Sequence, residues 1–262
     1  MASLVLNKIF SKIMIQRRKK EPSFVRNLGK VSYTYQEAGI YGLFMNECRL
    51  EAWRYALEKF HIDRDDIVDV GCSHGSWAEN YRTLGFKRLL GIDPNPEVVE
   101  KAKSVFDEVH CAYAWDLKKV FPKNKTIAAN GVMVHVIEDD HSIAFLSDIS
   151  ECLEDNGYFM YSVINAEFYV SSGRREWKGS ESCVRFLATH RKFAQEANLE
   201  VVGEIGTFID PWAISDLEYL VHNDEFRSRW SSYQVFVDLS RLLRGLSTSP
   251  FSEVLFVTQR RS

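Results

Sequence analysis

The sequence has no paired cysteines, no long apolar run and no surplus of basic charge, and each lack closes off a class of protein. Its five cysteines, Cys48, Cys72, Cys111, Cys152 and Cys183, are odd in number and scattered over 262 residues. With no C-x-x-C pair, neither a disulfide framework nor a metal site is expected, and they read as reduced thiols of a cytoplasmic protein. The longest uncharged apolar-leaning run, residues 126–137, falls short of the roughly 20 residues with which a helix crosses a bilayer. Lysine and arginine number 33 against 36 acidic residues, a formal net charge of -3, which argues against the positive field of a nucleic-acid binder. What is present, 45% hydrophobic and 13% aromatic residues, is the composition of a folded chain and not of a low-complexity one. At about 150 residues per domain, the length falls between one domain and two.

The amino-terminal stretch MASLVLNKIFSKIMIQRRKK joins apolar residues to a basic cluster. Arg17, Arg18, Lys19 and Lys20 follow the apolar part, the reverse of a secretory signal, and no small-residue cleavage site comes after them. Val5, Ile9 and Ile13, with Leu6 and Phe10 beside them, keep helical spacing. Two readings stay open: a basic amphipathic helix in peripheral contact with a membrane, or a helix packed on its own domain.

Leu50, Trp53, Leu57 and Phe60 then repeat at three to four residues and predict a helix. From Ile67 the texture changes to short apolar runs alternating with amphipathic stretches, the pattern of βα units. Strands are expected at 67–71, 88–93, 108–114, in TIAANGVMVHV up to about Asn130, at 157–165, 201–209 and 251–261. The fold class is therefore α/β: a doubly wound, Rossmann-like, seven-stranded and mostly parallel sheet, with a helical amino-terminal segment and a helical insertion before the last strand. Residues 1–60 read as an arm and helical cap, and 61–262 as one catalytic domain carrying the insertion at 208–250.

The loop after the first strand, Asp69-Val70-Gly71-Cys72-Ser73-His74-Gly75, is the most informative part of the chain. In a doubly wound sheet this turn is where a nucleotide approaches the backbone, and glycine there permits positive φ and close contact. A dinucleotide fingerprint would need glycine at 73 and 76, where both residues are serine, and no G-K-[ST] closes a phosphate loop. Hydride transfer and phosphoryl transfer are both disfavoured.

DIVDVGCSHGSW followed by LLGIDPNPEVVEKAK resembles the class I S-adenosylmethionine-dependent methyltransferases over roughly residues 50–165, on the small-molecule branch of that family. The resemblance implies S-adenosylmethionine as cofactor. It places Gly71 and Gly75 beneath the amino-acid tail of the cofactor, with Ser73 in the middle-glycine position. Asp69 is then near the ammonium, Asp93 on the ribose hydroxyls and Pro94 beside the adenine. Ala114, through its N–H, and Trp115, over the ring face, are the adenine contacts, and Asn130 is a contact through its main-chain carbonyl. Taken singly, the glycines also fit ordinary turns and Asp93 a helix cap.

Methyl transfer is an in-line displacement for which positioning suffices unless the acceptor must lose a proton. His135, just past the fourth strand, is the candidate catalytic residue, since an imidazole can take a hydroxyl proton near neutral pH; a packing or capping histidine is the competing reading. The segment 130–138 lacks the Pro-Pro-aromatic sequence of amino methylases acting on DNA and on protein glutamine. A small-molecule, glycan or lipid-linked acceptor is therefore expected, with RNA or protein as the alternative and a non-catalytic cofactor-binding module as a third reading. Tyr33, Tyr35, Tyr41, Phe208, Trp212, Tyr219, Trp230, Tyr233 and Phe236 are candidate pocket walls. Arg227, Arg229, Arg241 and Arg244 are candidate partners of an anionic acceptor, and Arg174, Arg175 and Lys178 of a macromolecular one.

Overall fold

Short aliphatic runs with few charges become the buried strands of one sheet, and the alternation of side chains along them decides which helices cover each face. The computed structural model describes residues 39–171, 177–178, 182–211 and 230–261. The amino-terminal arm, Tyr33, Tyr35, Arg174, Arg175, Trp212, Tyr219, Arg227 and Arg229 lie outside the described residues.

β1 (Asp66–Val70), β2 (Arg88–Asp93), β3 (Glu108–Cys111), β4 (Asn124–Ala129) and β5 (Leu153–Ile164) run parallel. A two-residue-per-strand hairpin, β6 (Trp177–Lys178) with β7 (Cys183–Val184), stands apart. β8 (Leu199–Gly206) and β9 (Glu253–Arg260) complete the sheet in the order β3-β2-β1-β4-β5-β9-β8, with β9 antiparallel to both neighbours. All seven expected strands form. The third is shorter than expected, ending at Cys111, because residues Ala114–Asp116 turn into a 3-10 helix.

The helices are α1 (Gly39–Lys59), α2 (Ala78–Thr83), α3 (Pro96–Ala102), α4 (Leu117–Val120), α5 (Asp139–Cys152), α6 (Ala166–Ser171), α7 (Leu187–Glu196) and α8 (Trp230–Leu243). On one face Val68, Val70, Ile92 and Phe159 pack with Leu146 and Ile149 of α5 and Leu187 and Phe193 of α7. On the other, Ile67, Leu89, Met160 and Leu255 pack with Trp53 and Leu57 of α1, Tyr81 of α2 and Ala102 of α3. Neighbouring residues 67 and 68 thus serve opposite faces, as the two-residue period of a strand requires. Among the described residues no helix is long and apolar enough to cross a membrane.

α1 is tied to the sheet by Arg49, whose guanidinium meets both carboxylate oxygens of Glu253 on β9. α8 lies against α1, where Phe208, Tyr233 and Phe236 close with Phe44 into a small aromatic core. These three were candidate pocket walls, and the structure buries them as packing. Tyr41 has its hydroxyl 3.1 Å from Asp210 Oδ1. The reading of Arg241 and Arg244 as partners of an anionic acceptor is also corrected. Arg244 is buried and donates to the carbonyls of Cys48, Gly206 and Thr207 and to Glu51, while Arg241 is held by Glu51 and Asp238.

Candidate cofactor and transfer site

Strand order reverses between β1 and β4, and their carboxyl ends open the crevice in which doubly wound sheets take ligands. The register sets Asp69 beside Gly91 and Ala128, and Asp93 beside Cys111, so one edge of the sheet gathers the predicted residues. Gly71 and Cys72 fold over that edge by donating their N–H groups to the Ile92 carbonyl at 2.8 and 3.1 Å.

The loop needs left-handed backbone at three places: Gly71 (φ 79°), Ser73 (φ 51°) and Gly75 (φ 91°). Serine therefore adopts the conformation that a middle glycine would supply. At Gly71 a Cβ would stand 2.6 Å from Val132 Cγ2, and at Gly75 2.3 Å from Val105 Cγ2, so both positions exclude a side chain on steric as well as conformational grounds.

Asp93 is 6% exposed, and its oxygens accept from the backbone N–H of Ser73 at 3.0 Å and of Asn95 at 2.9 Å. The helix-cap reading of Asp93 does not hold: Asn95 caps α3, its side chain accepting from Glu97 N. Each carboxylate oxygen keeps a further acceptor site, which suits a vicinal diol. Burial pushes the Asp93 carboxyl above the usual range. Asp69, 2% exposed, is pushed up to about 7, chiefly by burial; the Tyr81 hydroxyl opposes the shift and the Asp93 charge adds to it. Among the described residues its Oδ1 has no hydrogen-bond partner, and neither has Asn130 Oδ1 just past β4.

Pro94 is half-buried after β2, and its carbonyl faces the Cys111 thiol at 3.6 Å. Ala114 opens the 3-10 turn after β3, where the Trp115 ring stacks on Tyr113 at 4.1 Å with planes 8° apart. A flat π surface thus follows the end of β3, the strand that pairs with β2. His135 closes a second 3-10 turn, Met133–His135, and is half-buried. Arg185 holds the following segment by bonding the Ile137 carbonyl and Asp139, and Gly131 N donates to Ser162 Oγ at 3.0 Å.

The arrangement fits S-adenosylmethionine: a carboxylate with free acceptor capacity for the ribose, a glycine cradle, and two buried acceptor oxygens lacking a donor where a cationic amine would lie. Sequence reasoning missed Tyr81, whose hydroxyl receives Asn130 Nδ2 at 2.8 Å and favours the ionised form of Asp69.

A model of the methyltransferase-domain family matches residues 44–204. This chain belongs to that family. Its fold is that of the class I S-adenosylmethionine-dependent methyltransferases. An S-adenosylmethionine-dependent methyltransferase from Clostridium acetobutylicum superposes with a TM-score of 0.56 at 10% identity, covering 82% of this chain and 92% of that one. A second, from Leishmania major, gives 0.60 at 14% identity over 90% and 81%. The magnesium protoporphyrin IX methyltransferase of Synechocystis, solved with the cofactor bound, gives 0.51 at 12% over 83% and 80%. In sequence, the ribosomal protein L11 methyltransferase of Staphylococcus saprophyticus is 30% identical over 118 residues, 43% of this chain and 36% of that protein. The chain thus spans about a third of the length of the curated relatives it matches.

Proposed function

We propose that this methyltransferase transfers a methyl group from S-adenosylmethionine to an oxygen or nitrogen of a small-molecule acceptor, free or carried on a glycan or lipid. The observation that carries the cofactor half is the pair of buried oxygens, Asp69 Oδ1 and Asn130 Oδ1, that have no donor among the described residues, at strand ends one and two strands away from Asp93. Asp93 takes the ribose hydroxyls, Gly71, Ser73 and Gly75 admit the amino-acid tail, and Pro94, Ala114 and Trp115 flank the adenine. When bound, the cofactor supplies a methyl group activated by its own sulfonium charge. The chain's share is to fix the acceptor in line with it and, for a hydroxyl acceptor, to accept a proton at His135.

The small-acceptor reading is supported by the proline-free segment 130–138 and by the near-neutral charge of the chain. A protein acceptor is the second reading, favoured by relatives named as ribosomal protein L11 methyltransferases. Titration calorimetry with S-adenosylmethionine and S-adenosylhomocysteine tests the cofactor half. Both bind the wild type, and Asp93→Ala weakens them about tenfold or more, the value of a hydrogen bond to a charged group. No binding to the wild type would remove the reading, and an indifferent Asp93→Ala would move the ribose elsewhere.

A further inference from the structure

Tyr81 has no place in the loop motif carried over from the family, yet its hydroxyl stands between two residues that the cofactor needs. The side chain is fully buried, and its ring is boxed by Trp53 and Trp77 with centroids at 5.6 Å each and by Phe86 at 6.0 Å. With the ring held from three sides, the position of the hydroxyl is fixed as well. It receives Asn130 Nδ2 at 2.8 Å, and it faces the Asp69 carboxylate, whose ionised form it favours against burial.

A phenol has one proton. Given to the carboxylate, it leaves the Tyr81 oxygen able only to accept, so the Asn130 amide must present its NH2 to Tyr81 and turn its carbonyl oxygen away. The result is two buried oxygens without donors, Asp69 Oδ1 from β1 and Asn130 Oδ1 from the end of β4, at adjacent strand ends where the strand order reverses. An ammonium, with three donors and no acceptor, is the chemical complement of such a pair.

We infer that Tyr81 is a positioning residue for the cofactor's α-ammonium, setting the Asn130 amide and the Asp69 carboxylate so that each offers it an oxygen. This rests on the cofactor reading given above and adds the side-chain amide of Asn130 to the ligands expected from its main chain. Among the described residues the groups facing Asp69 are Tyr81 from α2, Asp93 from β2 and the Cys72 thiol of the loop, itself pushed up by burial. Of these, only the Tyr81 hydroxyl favours the ionised carboxylate.

The test is calorimetry on Tyr81→Phe with S-adenosylhomocysteine and with 5′-methylthioadenosine, which keeps the nucleoside but lacks the amino-acid tail, from about pH 5.5 to pH 7.5. Asp69 ionises across that window while an α-ammonium, with an ordinary pKa of roughly 7.7–8.0, stays mostly charged up to about pH 7 and loses charge only at the upper end. Wild-type affinity for S-adenosylhomocysteine therefore rises with pH more steeply than affinity for methylthioadenosine, which shares the Asp93 contact but has no ammonium. Tyr81→Phe loses about tenfold for S-adenosylhomocysteine and shifts the pH midpoint upward, with methylthioadenosine unchanged. Equal loss for both ligands would mean that Tyr81 only packs, and a wild-type affinity and midpoint would mean that it orients nothing; either overturns the inference. Should Tyr81→Phe fail to fold, Asn130→Ala must show the same selective loss, and parity between the two ligands there overturns it equally. A wild type that binds neither ligand removes the cofactor reading itself, an outcome distinct from an indifferent variant.

Discussion

Asp69 and Asp93 are carboxylates at neighbouring strand ends, and their surroundings use them differently. Asp93 has a backbone donor on each oxygen, whereas Asp69 has one oxygen bare and its carboxyl pushed up to about 7. An unfolded aspartate ionises near about 3.9, so between about pH 4 and 7 the ligand-free fold keeps a proton that the unfolded chain has released. Stability from this group is complete below that window and lost as pH rises through 7. Asp69→Asn is accordingly expected to flatten the fall in melting temperature over the window and to melt above the wild type beyond pH 7, while binding S-adenosylmethionine more weakly; melts of the ligand-free protein at stepped pH read this out. His135 supports a separate expectation: His135→Ala leaves cofactor affinity intact and lowers turnover by about 10²–10⁴-fold if the acceptor is a hydroxyl. Unchanged turnover would assign the residue to packing. The acids and glycines of the loop were legible because their chemistry depends on neighbours in sequence. Tyr81 was not, because its role depends on a ring box closed by Trp53 from a helix ahead of the whole sheet.

Among elements, α1 shows what the sequence pattern captures and what it leaves out. The three-to-four spacing of Leu50, Trp53, Leu57 and Phe60 predicts the helix, but nothing local predicts that Arg49 reaches Glu253 some two hundred residues later. Glu253 is 4% exposed and also accepts from Thr207 Oγ1 at 3.1 Å. Arg49→Ala strands that carboxylate, and a loss of about 3 kcal/mol is expected in urea unfolding, since removing one partner of a buried pair costs more than the pair itself contributes. A loss under about 1 kcal/mol would mean that Thr207 and neighbouring groups hold the charge without the arginine. The same long reach hid the ties of Arg241, near the end of α8, and of Arg244 just past it, which are held by Glu51, Asp238 and carbonyls. Strand cores were legible from runs of apolar residues, and so were the ends of β2 and β4; the end of β3 was not, because it stops at Cys111, where a turn begins and not where hydrophobicity falls.

At the scale of the whole molecule, the alternation of strands and helices was enough to specify a doubly wound sheet, and the first loop points to the edge proposed for the cofactor. The acceptor was not legible to the same degree. Incubation of the protein with labelled S-adenosylmethionine and a cell extract, followed by separation into small-molecule, lipid, protein and RNA fractions, is expected to put label in the small-molecule or lipid fraction. Label recovered in protein would favour the second reading, and label in RNA would overturn both.

The place of β9 has a consequence for how the chain is made. The strand enters between β5 and β8, and β8 pairs with β9 alone within the sheet. During synthesis β1 to β5 can associate in order as they leave the ribosome, but β8 emerges with an edge it cannot yet use. It must wait about fifty residues for the strand that joins it to the rest. Pairing between segments so distant in sequence is slow, and a waiting strand is exposed to wrong partners. The nascent chain is therefore most vulnerable in the interval after Gly206, when its cofactor edge is already assembled and its sheet is still open.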